Sequence, residues 1–92
     1  MIIKDVVVLQ DAEDDLVAGR TFYDQRGAGI GEYFWDSLIA DIRSLFVFAG
    51  IHSRRYGLYR MLAKRFPYAI YYDIKDEVAR VIAILPLRRD PV

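Results

Sequence analysis

The sequence contains no cysteine. That removes disulfides, thiol catalysis and cysteine zinc sites together. Histidine occurs once, at His52, so a metal centre has almost no soft or imidazole donors to draw on. No metal and no cofactor are expected. No apolar run approaches the roughly 18 residues that a membrane span needs. The opening residues, Met1 to Asp5, lack a basic segment followed by a long apolar stretch, so no signal peptide is read there and a cytoplasmic location is expected. Internal repeats, low-complexity stretches and an interdomain linker are also missing.

What is present is a single-domain length of 92 residues, with 54% hydrophobic and 14% aromatic residues. That composition argues against disorder. Residues 1–92 are read as one domain, since a chain of this length has room for one core. The net charge of zero hides a split. Residues 1–50 carry four basic and nine acidic groups, a net of −5, and residues 51–92 carry +5. Such a split gives the field a direction and can steer an acidic partner to one side. Seven of the nine late basic groups are arginine, whose fork suits carboxylate or phosphate.

The β-branched run Val6-Val7-Val8 predicts a first strand within Ile2–Leu9. Asp11 then reads as a helix N-cap, with Asp14 and Asp15 near the positive end of the helix dipole. Ala12, Leu16, Gly19 and Tyr23 form one stripe at spacings of three and four, which carries this helix to about Arg26. A glycine in mid-helix loses about 1 kcal/mol against alanine, so Gly19 implies close approach of a second helix. Gly27, Gly29 and Gly31 break the chain. Their spacing is not that of a dinucleotide loop, and they follow a helix, so they read as a turn. A second helix is predicted from about Gly31 to Phe48. Its inner stripe is Phe34, Leu38, Ile42, Leu45 and Phe46, widened by Trp35 and Ile39, with Asp36, Asp41 and Arg43 facing away.

Gly50 to Tyr56 reads as a polar connector containing a solvated His52. Three strands follow, Leu58–Lys64, Tyr68–Ile74 and Val78–Leu85, with a turn at Lys75-Asp76-Glu77. The last is apolar on both faces, as a central strand is, and Pro86 ends it. The fold class is α+β: β-α-α-β-β-β, an antiparallel sheet with a helical hairpin packed on one face. The other face is left for a ligand or partner. Tyr68, Tyr71 and Tyr72 suit core or partner packing or a platform for nucleic-acid bases. Arg60, Lys64, Arg65, Arg80, Arg88 and Arg89 make a basic cluster that fits RNA, a carboxylate-rich partner, or both.

In order and spacing, several segments together resemble the ParE/RelE toxin superfamily, over about residues 6–91. They are Ala12-x-x-Asp15-Leu16 with Tyr23, Gly29-Ile30-Gly31-Glu32-x-Phe34, Tyr59-Arg60, Arg65-Phe66-Pro67-Tyr68-x-Ile70-Tyr71-Tyr72, and Val81-x-Ala83-Ile84-Leu85 before Arg88-Arg89-Asp90-Pro91. The resemblance implies the same fold and the toxin of a type II toxin–antitoxin module, of the kind linked to plasmid stabilisation. It implies a cognate antitoxin whose N-terminal domain binds DNA, often as a ribbon-helix-helix, and whose C-terminal segment wraps the toxin. Operator DNA would be bound only through that antitoxin.

Two targets follow from the resemblance. ParE-like members inhibit DNA gyrase as protein inhibitors without catalysis of their own, and Arg60, Arg88 and Arg89 are then the expected contacts. RelE-like members cut mRNA on the ribosome, and Arg60, Lys64 and Arg80 would then hold phosphates. No tyrosine or histidine follows residue 72, and on that ground the ParE-like reading is preferred. A third expectation is a degenerate, non-toxic binding module. Trp35 and Ile39 are the expected apolar anchors for an antitoxin segment that carries acidic residues toward the basic half.

Overall fold

The computed structural model describes residues 2–87. The order of elements is β1 (Asp5–Val8), α1 (Gln10–Asp24), α2 (Ile30–Arg43), α3 (Leu45–Phe48), β2 (Ser53–Arg55), β3 (Leu58–Leu62), β4 (Tyr68–Lys75) and β5 (Val78–Pro86). They form one five-stranded sheet in the order β1-β5-β4-β3-β2, with the helical hairpin on one face, as expected. No described helix is long and apolar enough to cross a membrane.

β5 is central in the sense its sequence requires. It is hydrogen-bonded to β4 on one edge and β1 on the other, so neither edge needs a polar face. The β1–β5 pair is parallel, however, so the sheet is mixed where a wholly antiparallel one was expected. A helical crossover can return the chain to either direction, and the valine run of β1 fills the edge of β5 that β4 leaves open. At the end of β1 the Leu9 amide still donates to the Val81 carbonyl at 3.0 Å. The chain therefore turns straight into α1, and Leu9 is the N-cap, without a side-chain cap. Asp11 lies in the first turn instead of capping it. Asp15 does more than face the helix dipole: its carboxylate accepts the Ile84 amide at 2.9 Å. The β1–β5 register stops at Val8–Val81, so this donor on β5 is otherwise left unpaired, and α1 supplies its acceptor.

The hairpin is built on a close approach. A Cβ at Gly19 would stand 2.5 Å from Phe34 Cε2 and closer still to Cζ, which is why a glycine is kept in mid-helix. Phe34 is fully buried, and its ring lies 4.9–5.1 Å from those of Tyr23, Phe66 and Tyr68. Asp24 Oδ1 accepts the Gly31 amide at 3.0 Å, so the turn is pinned by the last residue of α1, and Gly29 takes the left-handed conformation, φ +83°.

The second helix is not continuous to Phe48. At Ser44 the hydroxyl donates to the Asp41 carbonyl at 2.6 Å. A serine hydroxyl that competes for helix carbonyls in this way bends or ends a helix. Beyond it, α3 buries Leu45 but leaves Phe46 48% exposed. Phe46 is therefore not part of the inner stripe. Asp41 is part of it, only 4% exposed, and its carboxylate accepts the Lys64 amide at 3.1 Å. Within the expected polar connector, Ser53–Arg55 is a short strand. It joins β3 through Tyr56 and Gly57, both at positive φ, 56° and 77°, a two-residue hairpin turn.

Candidate functional site

The core cluster takes Met61 from β3, Tyr68, Ile70 and Tyr72 from β4, and Ala79, Val81 and Ile84 from β5. These are the residues that face the helices. Strand alternation and the pairing register then assign Arg60, Leu62, Ala69, Tyr71, Asp73, Arg80, Ala83 and Leu85 to the open face. The register slips by one residue between Tyr71 and Tyr72, leaving Ile82 without a partner in β4. Such a bulge locally raises the twist and re-aims side chains.

On the open face two polar units stand apart. Arg60 Nε donates to the Tyr71 hydroxyl at 3.2 Å, and the ring of Tyr56, 84% exposed, lies 6.3 Å from that of Tyr71. Arg80 is held by both oxygens of Asp73, at 2.8 and 2.6 Å. This bidentate pairing keeps the Asp73 carboxyl below its usual range, with the arginine hydrogen bond as the main cause and burial opposing it. A carboxyl with a depressed folded-state pKa contributes stability that is present above its unfolded value, about 3.9. That contribution is lost as pH falls through the folded value. Asp73→Asn should therefore flatten the acid limb of the stability profile below about pH 4, as read by denaturant midpoints at several pH values. An unchanged profile would show that the pair is too solvated to contribute.

The expected contacts are thus only partly gathered. Arg60 and Arg80 share a face but sit on β3 and β5, with β4 between them. Lys64 lies beyond the end of β3, beside Asp41. Arg88 and Arg89 lie outside the described residues. Trp35 and Ile39 are half-buried on α2 and pack against the core. The guanidinium of Arg20 lies 4.6 Å from the centre of the Trp35 ring. Trp35, Arg20, Asp24, Gly29, Glu32 and Asp36 line an open polar cleft of about 650 Å³.

A second cavity, of about 260 Å³, was not anticipated. It is lined by Asp41, Ser44, Phe48, Ile51, His52, Met61, Leu62 and Lys64. His52 is half-buried here, which corrects the expectation of a solvated loop residue. Its Nδ1 lies 2.5 Å from the Tyr72 hydroxyl, which also accepts the Gly50 amide at 2.9 Å. With the Gly50 amide on its oxygen, the hydroxyl keeps its own proton available for Nδ1, an arrangement that suits a neutral ring with hydrogen on Nε2. Burial lowers the His52 pKa and raises that of Tyr72, which fits this neutral pair. Asp41, expected to face away from the inner stripe, is buried; its i, i+4, i+7 spacing from Phe34 and Leu38 is the signal that could have shown this.

No family model and no curated protein matches this chain. Among solved structures it is similar to a chain of the chromosomal ParDE TA system from P. aeruginosa. The two share 16% identity over 95% of this chain and 97% of that chain, with a TM-score of 0.76. At that identity the likeness is one of fold: the same arrangement of sheet and hairpin, at nearly equal length.

Proposed function

We propose that this chain is the toxin of a type II toxin–antitoxin pair, held inactive by a cognate antitoxin with a DNA-binding N-terminal domain, and that it arrests growth by inhibiting DNA gyrase. The observation that carries the reading is the likeness of fold along almost the whole of both chains to a member of the ParDE TA system. The open face supports inhibition without catalysis. Arg80 is already paired with Asp73. The single histidine hydrogen-bonds Tyr72 on the helix-facing side of the sheet, away from Arg60 and Arg80. General acid–base chemistry needs a titrating group within hydrogen-bond reach of the reacting proton. Arg60, Arg88 and Arg89 are the proposed gyrase contacts. In a supercoiling assay the Arg88→Ala/Arg89→Ala variant should lose most of its inhibition; full inhibition by that variant would remove those two residues from the interface.

One observation favours a second reading, a ribosome-dependent mRNA endonuclease. The Tyr71 hydroxyl stands beside Arg60 on the open face, where Arg60, Lys64 and Arg80 would contact phosphates. New 5′ ends in ribosome-bound mRNA soon after induction would support this reading, and their absence would dismiss it.

For the antitoxin, Trp35 and Ile39 are the proposed apolar anchors. Large aromatic side chains at the centre of interfaces dominate binding energies. Trp35→Ala should weaken the complex by at least about tenfold, roughly 1.4 kcal/mol, in a titration with purified antitoxin. Unchanged affinity would place the antitoxin elsewhere.

A further inference from the structure

We infer that the antitoxin adds an extended segment to the free edge of β3 at Leu62, with one apolar side chain seated in the cavity between α3 and that edge. The inference rests on the toxin–antitoxin reading and names where the partner docks.

The Ala63 amide donates to the Tyr68 carbonyl, so in the antiparallel β3–β4 ladder the odd-numbered residues of β3 point their amides and carbonyls at β4. The even-numbered ones point away. Arg60 uses that outward direction to pair with Ser53 of β2. Continuing the same register would set Ile51 opposite Leu62. The chain does not continue it: the Ile51 amide donates back to the Phe48 carbonyl at 3.2 Å, and His52 is held by Tyr72. At Lys64, the next outward position, Asp41 takes the amide. Leu62 is left between them, and no described residue takes its outward amide and carbonyl. An unpaired strand edge is a template for another strand.

The side chains point to the same kind of ligand. Leu62 is 53% exposed, Phe48 50% and Ile51 71%, and all three line the cavity with Met61 and His52. A residue opposite Leu62 would lie beside it on the open face, and its neighbour in sequence would turn toward the helices and enter the cavity. Lys64 also lines this cavity, so the segment should carry an acidic residue at the end nearest its ammonium. A polypeptide in extended form satisfies the backbone edge, the apolar cavity and the charge together. A second copy of this chain does not. Paired antiparallel about Leu62, its Lys64 would fall opposite Arg60, a place already filled by Ser53, and like charges there repel.

The test is residue-resolved amide hydrogen exchange by NMR, on the protein alone and in complex with the polypeptide encoded beside its gene. In the free protein, Met61 and Ala63 should be protected and Leu62 should exchange freely. In the complex, exchange at Leu62 should slow by at least about 100-fold. Lys64→Glu should weaken the complex about tenfold. If the complex forms while Leu62 exchange and the affinity of Lys64→Glu are unchanged, the docking site is wrong and the toxin–antitoxin reading stands. If no complex forms, both fall. Concentration-dependent protection of Leu62 in the protein alone would overturn the inference in favour of self-association.

Discussion

Replacing Phe34 with alanine should lower the stability of the fold by about 3–5 kcal/mol, the range for truncating a buried aromatic residue. The ring is fully buried and joins every layer of the domain. It stacks on Tyr23 of α1, meets Tyr68 of β4 edge-on, and is closed over by Phe66. These neighbours are themselves large and held by one another, so they cannot collapse into the space a missing ring leaves. A domain of about this length has a total stability on the order of 5–15 kcal/mol. The variant should therefore lose a third or more of a stability in the lower half of that range, and a bound partner would restore part of the loss by mass action. A urea midpoint within experimental error of the parent protein's would show that this aromatic cluster is not the centre of the core.

Gly19→Val should lower stability by about 1–3 kcal/mol, the usual range for forcing extra atoms into a packed core. On an exposed helix the same substitution would stabilise, because glycine is the weaker helix former. Here the added Cβ falls 2.5 Å from Phe34 Cε2 and against Cζ as well. The ring has nowhere to move, with Tyr23 on one side and Phe66 and Tyr68 on the others. The two residues form one contact, so their effects should not add. Gly19→Ala combined with Phe34→Leu should recover part of the loss that Gly19→Ala produces alone. Strict additivity in thermal melts would mean that the two helices do not meet at this point.

The sequence announced this contact. A glycine costs a helix stability wherever it stands in the interior, so one kept on an apolar stripe signals a neighbour too close for a side chain. The stripe from Ala12 to Tyr23 is buried or half-buried as its spacing requires. The central place of β5 was also legible, from a strand apolar on both faces. What remained hidden came from single side-chain hydrogen bonds that no periodicity reports. The Ser44 hydroxyl takes the Asp41 carbonyl where α2 ends, and beyond it Phe46 is half exposed. Leu9 replaces Asp11 as the cap because its amide is still engaged with Val81. The strand at Ser53–Arg55 was concealed because its turn places a tyrosine at positive φ, where asparagine, aspartate or glycine is the usual signal. His52 looked solvated because its partner, Tyr72, is twenty residues away.

The candidate site was legible in outline only. Arginines at 60 and 80 do reach the open face, as strand alternation would have it. That Arg80 is occupied by Asp73 depends on the register between β4 and β5, which residue types alone do not encode. The cavity beside Leu62 depends on β2 leaving the sheet early, again through His52 and Ile51.

The central claim is a gyrase-directed toxin, and the most direct test follows macromolecular synthesis after inducing this chain without its antitoxin. Incorporation of labelled thymidine and labelled methionine is compared over the first minutes. Thymidine incorporation should fall first, with protein synthesis following later. A prior fall in methionine incorporation would contradict it and assign the open face to mRNA, while unimpeded growth would contradict the toxin reading altogether.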